Sequence, residues 1–138
     1  MSDFRTLSAG YSVAPQISIE DIAEAKAQGF AMVVNNRPDG EEPGQPLGAD
    51  IEDAAQAAGI EYRSVPIVRG IGPADVETMR EAFDAVGDSG KVFAFCRTGT
   101  RSTLAWALAR NEQGMPREKI DRAAAEAGVD LTPIAHLF

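Results

Sequence analysis

One cysteine and one histidine in 138 residues remove whole classes of chemistry. A lone cysteine forms neither an internal disulfide nor a Cys-X-X-Cys redox pair. With His136 as the single imidazole, too few soft ligands are left for a zinc site, and no metal or cofactor is expected. Basic residues are also scarce: 13 Lys and Arg against 21 Asp and Glu give a net charge of -8. A nucleic-acid partner calls for the reverse balance, because cationic side chains must displace the counterions of the phosphate backbone. Any anion site must therefore be local. No apolar run approaches the ~20 residues that cross a bilayer, so no membrane partner is expected. Met1-Ser2-Asp3-Phe4-Arg5 lacks the basic-then-apolar order of a secretory leader. These absences predict a cytoplasmic protein folded as one domain over residues 1–138, a size that buries about two-thirds of its unfolded surface.

What is present alternates. Ser18-Ile19-Glu20-Asp21 offers a serine cap with an acid three positions on, and apolar residues follow at helical spacing until Gly29. Residues 30–35 read as a buried strand. The stretch from Asn36 to Pro46, with its prolines and glycines, is a loop in which Asp39, Glu41 and Glu42 read as solvation. Helix 49–58, strand 61–66, a helix from Pro73 to about Val86, strand 91–95, helix 102–112 and a Pro116-initiated helix to about Ala127 complete the pattern, with a short turn at Thr132-Pro133. Short, continuously apolar strands separated by helices predict an α/β fold of three layers, a mostly parallel sheet flanked by helices. Ligands of such sheets bind where loops leave the carboxyl ends of the strands. Segments 35–39, 67–72 and the loop after residue 95 converge there.

That last loop is Cys96-Arg97-Thr98-Gly99-Thr100-Arg101-Ser102, set between a strand and an alanine-rich helix. The placement aims the thiol at backbone N–H groups left unpaired at a helix N-terminus, which stabilise negative charge. Thiols so placed ionise more readily than a free one and become nucleophiles. Gly99 lets the backbone curl around an anion, Thr98, Thr100 and Ser102 offer hydroxyls, with Ser102 also a candidate helix cap, and Arg97 and Arg101 bring cationic forks. Arg37 and Arg69 reach the same rim by chain order.

Ser8-Ala9-Gly10, residues 29–41 from Gly29 to Glu41, Ala58-Gly59-Ile60-Glu61-Tyr62 and Phe95 to Ser102 together resemble the phosphatase-like domain family called beta-lactamase-hydrolase-like. The resemblance spans almost the whole chain. It implies a cysteine-phosphatase-like fold, similar to dual-specificity phosphatases, with a cysteine loop similar to that of rhodaneses; many members are labelled sulfurtransferases. It carries Cys96 over as nucleophile, residues Arg97 to Ser102 as the cradle for an oxyanion or persulfide, and Asn36-Arg37 near the site. Members are sometimes fused to a domain resembling persulfide dioxygenases, which implies a persulfide dioxygenase or sulfide oxidase as a partner in trans.

Loop length separates two chemistries. Cysteine phosphatases place five residues between cysteine and arginine; here four separate Cys96 from Arg101. Rhodanese loops have this shorter form, sized for a sulfur on the cysteine. A phosphatase also needs an acid to protonate the leaving oxygen, and the loop 67–72 has no carboxylate before Asp75, which reads as a first-turn helix acid or as that proton donor. Sulfur transfer needs none, because sulfite leaves readily as an anion. The favoured expectation is a sulfurtransferase taking sulfane sulfur from a small-molecule donor, thiosulfate or a low-molecular-weight persulfide, through a Cys96 persulfide. The alternative is a phosphatase acting on a phosphate ester through a Cys96 phosphoenzyme. A third is an idle phosphatase-like binding module.

Overall fold

The computed structural model describes residues 4–87 and 90–138. In chain order the elements are β1 (Arg5–Ser8), β2 (Tyr11–Ala14), α1 (Ile19–Ala27), β3 (Met32–Asn35), α2 (Gly48–Ala58), β4 (Glu61–Ser64), α3 (Pro73–Val86), β5 (Val92–Phe95), α4 (Thr100–Glu112), α5 (Arg117–Glu126) and a closing 3-10 helix, Thr132–Leu137. The sheet runs β1-β2-β5-β3-β4, with β1 antiparallel to β2 and the other pairs parallel. The predicted mostly parallel, helix-flanked sheet is therefore what the chain forms. The hairpin of β1 and β2 is the addition: its four-residue strands are too short to show a period, and Arg5, Thr6, Ser8 and Ser12 interrupt their apolar character.

Alternation along each strand divides the core in two. Tyr11, Val13, Met32, Val34, Val92 and Ala94 face α3, α4 and α5, while Ala14, Val33, Phe93 and Phe95 face α1 and α2. β5 lies between β2 and β3 with all four residues buried, which explains its unbroken apolar sequence. Helix α4 is also enclosed, lying between α3 and α5 against the sheet, and Ala105, Trp106, Ala107 and Ala109 are fully buried. A helix buried on nearly every side has little amphipathic stripe, so its small residues serve close packing. The turn from β5 into α4, which contains the cysteine, is thus anchored at both ends by core.

The capping signals read from sequence have their expected partners. Ser18 Oγ accepts from the Asp21 N–H while Asp21 Oδ2 accepts from the Ser18 N–H, and Gly59 closes α2 in the left-handed conformation at φ 79°. Among the described residues, no helix is long and apolar enough to cross a membrane.

Candidate active site

The carboxyl ends of the parallel strands supply the site. β5 ends at Phe95 and the next residue is Cys96, 1% exposed, whose own N–H donates to Ala14 O at the end of β2. From there the chain turns through Arg97, Thr98 and Gly99 into α4. Gly99 is the residue before the helix, with φ 92°, and its N–H donates to Cys96 Sγ at 3.1 Å. The left-handed φ suits glycine, and a Cβ there would collide with the Arg5 guanidinium. Arg5 lies where it does because its two terminal nitrogens donate to Thr98 O and Ala127 O, at 2.6 and 2.9 Å. The expected curl of the loop around the sulfur is therefore formed, and β1 braces it from outside.

Asn36 locks the rim from beneath. This fully buried residue donates through its backbone N–H to Phe95 O and through Nδ2 to Val65 O, while its carbonyl accepts from the Ile67 N–H. Its Oδ1 accepts from Ser102 Oγ at 2.8 Å. The ends of β3, β4 and β5 are thereby tied to the first turn of α4. This corrects the expectation that Ser102 lends its hydroxyl to the bowl or caps the helix: α4 begins two residues earlier, at Thr100, and the Ser102 proton goes to Asn36.

The arginines come together as expected in part. Arg101, in the first turn of α4, donates from Nη1 to Glu41 Oε2 and from Nη2 to Glu41 Oε1, at 2.8 and 2.7 Å, and from Nη1 to Ile67 O at 2.8 Å. The buried Arg37 donates from Nε to Glu41 Oε1 and from Nη1 to Gln16 Oε1, both at 2.9 Å. Arg97 is exposed and pairs with Glu42, which also lies 3.3 Å from Arg37. Thr98 and Thr100 are exposed, and their hydroxyls hydrogen-bond each other at 3.1 Å. Arg69 sits in the exposed loop after β4 and forms no hydrogen bond or ion pair among the described residues.

Glu41 is the residue that sequence reasoning missed, since it and its neighbours read as solvation of a loop. All three acids have specific partners instead: Asp39 Oδ1 accepts from the Gly48 N–H at the start of α2, and Glu41 and Glu42 hold the arginines. The hydrogen bonds from Arg101, reinforced by Arg37, push the Glu41 carboxyl down to about 2. Arg101 is in turn held more firmly charged, first by Glu41 and then by the neighbouring Cys96. A carboxylate so stabilised is a poor proton donor at neutral pH. Asp75 is no better placed, because its Oδ2 accepts from the Gly72 N–H and caps α3. Gln16 was equally unforeseen. It follows β2, accepts from Arg37, and donates its backbone N–H to Arg97 O.

A family model described as beta-lactamase hydrolase-like protein, phosphatase-like domain, matches residues 3–115. A beta-lactamase hydrolase-like protein of Agrobacterium fabrum is 37% identical over 123 residues, 87% of this chain and 28% of that protein. One from Xylella fastidiosa strain Temecula1 is 32% identical over the same shares. The chain spans little more than a quarter of the length of these curated relatives. Among solved structures, a provisionally designated phosphatase from Neisseria meningitidis superposes with a TM-score of 0.80 at 34% identity, covering 96% of this chain and 94% of its own. Kinase associated phosphatase, in a form whose catalytic-site cysteine is replaced by serine, shares the fold at a TM-score of 0.74 and 18% identity over 96% and 88%. These matches bear out the phosphatase-like fold. The Neisseria structure and the family model carry phosphatase descriptions, in line with the alternative reading of the sequence, and none of these descriptions names sulfur transfer.

Proposed function

Because this chain belongs to the phosphatase-like domain family of the beta-lactamase hydrolase-like proteins, we infer that it is an enzyme whose Cys96 thiolate attacks a small anionic substrate, and we propose that the group it accepts is sulfane sulfur. The supporting observation is the loop itself. Four residues separate Cys96 from Arg101, and the Gly99 N–H closes on the sulfur at 3.1 Å. Such a tight bowl suits one added sulfur better than a phosphoryl group with three oxygens. The nearby carboxylates favour the same reading, since Glu41 is held ionised by arginine and Asp75 is engaged as the cap of α3.

The reaction runs in two halves. Cys96 thiolate attacks the outer sulfur of the donor, a new S–S bond forms, and the donor's own bond to that sulfur breaks. Thiosulfate leaves as sulfite; a persulfide leaves as a thiolate that takes up the proton. A thiolate or cyanide acceptor then attacks the outer sulfur of the Cys96 persulfide and regenerates the thiolate. Splitting the transfer in this way is covalent catalysis with ping-pong kinetics. Backbone N–H groups of the loop stabilise the persulfide anion, as preformed donors do wherever charge develops. A persulfide-consuming oxidase or dioxygenase is the class of partner this product would serve.

The second reading, favoured by the descriptions of the relatives, is phosphate-ester hydrolysis. Cys96 would then displace an alcohol from phosphorus, the alcohol oxygen taking a proton, and water would release phosphate. Steady-state assays with thiosulfate plus cyanide, glutathione persulfide plus a thiol, and an aryl phosphate test the choice, each with Cys96→Ser as control. Sulfur transfer lost in Cys96→Ser supports the proposal; efficient aryl phosphate hydrolysis with no sulfur transfer overturns it.

A further inference from the structure

We propose that Glu41 determines substrate specificity at Cys96 by charge: it occupies the Arg101 fork with a built-in carboxylate and so selects donors that bring at most one negative charge. Within the sulfur-transfer reading, on which this part rests, the favoured donor is a low-molecular-weight persulfide and the disfavoured one is a dianion such as thiosulfate.

Arg101 has little left to offer an incoming anion. A guanidinium recognises an oxyanion through two parallel N–H groups. Here Nη1 and Nη2 are directed to the two oxygens of Glu41 at 2.8 and 2.7 Å, and Nη1 is shared with Ile67 O. The buried Arg37 donates to the same Glu41 oxygen and to Gln16, while Arg97 is matched by Glu42. Three guanidiniums thus face two carboxylates, and the third is matched once Cys96 reacts as a thiolate. A cysteine site built for a dianion needs surplus positive charge over the thiolate. This rim has none. It can admit a neutral persulfide group, whose outer sulfur the Cys96 thiolate attacks: R–S–SH plus Cys96–S⁻ gives Cys96–S–S⁻ plus RSH, the leaving thiolate taking the proton, without gathering further negative charge.

Two alkylating probes of nearly equal size read the charge directly. Iodoacetamide is neutral and iodoacetate is an anion, and both need the Cys96 thiolate, so the ratio of their rate constants is independent of how far the thiol is ionised. By Coulomb's law in an effective dielectric between about 20 and 80, removing one unit charge several ångströms from the reacting sulfur changes the rate for an anion by roughly three- to fiftyfold. Glu41→Gln is therefore expected to raise the iodoacetate-to-iodoacetamide ratio within that range, whereas Glu41→Asp, which keeps the charge, leaves it near the native value. In the Cys96→Ser background, Glu41→Gln is expected to tighten binding of thiosulfate and inorganic phosphate by calorimetry.

An unchanged or lower ratio in Glu41→Gln overturns the proposal. So does an equal rise in Glu41→Asp, which would make side-chain position rather than charge the cause. Weaker binding of both dianions in Glu41→Gln likewise overturns it, because Glu41 would then be holding Arg101 ready for an anion instead of opposing one. None of these readouts depends on the native reaction. A raised ratio together with purely phosphatase turnover would preserve the role of Glu41 and remove the sulfur-transfer reading alone.

Discussion

Ser102 Oγ donates a 2.8 Å hydrogen bond to Asn36 Oδ1, and both side chains are fully buried. The bond joins the first turn of α4 to the residue after β3, while the Asn36 amide holds Val65 O and its backbone holds Phe95 O. This buried polar pair therefore helps to fix the position of the cysteine loop relative to its rim.

Replacing Ser102 by alanine would leave Asn36 Oδ1 without its donor, in a place water does not reach. A buried unsatisfied acceptor costs about 1–3 kcal/mol. Urea unfolding of Ser102→Ala should show a loss of that size, accompanied by slower turnover in the folded enzyme. A loss under a few tenths of a kcal/mol would mean that Asn36 finds another partner.

Gly99→Ala combines two penalties. A left-handed φ costs an L-residue about 1–2 kcal/mol, and the new Cβ would meet the Arg5 guanidinium, displacing the loop whose Gly99 N–H contacts Cys96 Sγ. Turnover should fall by two orders of magnitude or more, since misplacing reacting groups by about 1 Å costs on the order of a hundredfold. In the Arg5→Ala background the same substitution should destabilise less, because the collision is gone. Equal destabilisation in both backgrounds would remove Arg5 from the explanation.

The Glu41 carboxyl, lowered to about 2 mainly by Arg101, links stability to acid pH. Its folded value lies below the unfolded one, so its contribution is complete above the usual carboxylate range and disappears as pH falls through about 2. Wild type should exceed Glu41→Gln in urea midpoint near neutral pH, and the difference should shrink as the solution is acidified toward that value. A difference that stays constant with pH would assign the effect to something other than the charge.

The parts of this molecule that the sequence exposes are those with dense local signals. Val92–Phe95 and Met32–Asn35 are unbroken apolar strands because parallel strands in mid-sheet are buried on both faces. The Ser18–Asp21 pair announces α1, and the cysteine, glycine and arginines of residues 96–101 announce the loop. The β1–β2 hairpin gives no such signal, since Ser12 is buried beside β5 without any local pattern to say so. Glu41 is hidden for a different reason. Its partner Arg101 lies 60 residues further on, and a glutamate among prolines and glycines has the composition of a solvated turn. Such long-range charge pairing emerges only when the sheet brings the loops after β3 and β5 to one edge.

Intact-mass spectrometry of the reduced protein, after separate exposure to thiosulfate, glutathione persulfide and an aryl phosphate, identifies the group that Cys96 accepts. Sulfur transfer predicts the mass of one added sulfur, located on Cys96, formed more fully with the persulfide than with thiosulfate, absent in Cys96→Ser and lost on adding a thiol acceptor. A phosphoryl adduct on Cys96 from the aryl phosphate, with no sulfur adduct from either donor, would contradict it.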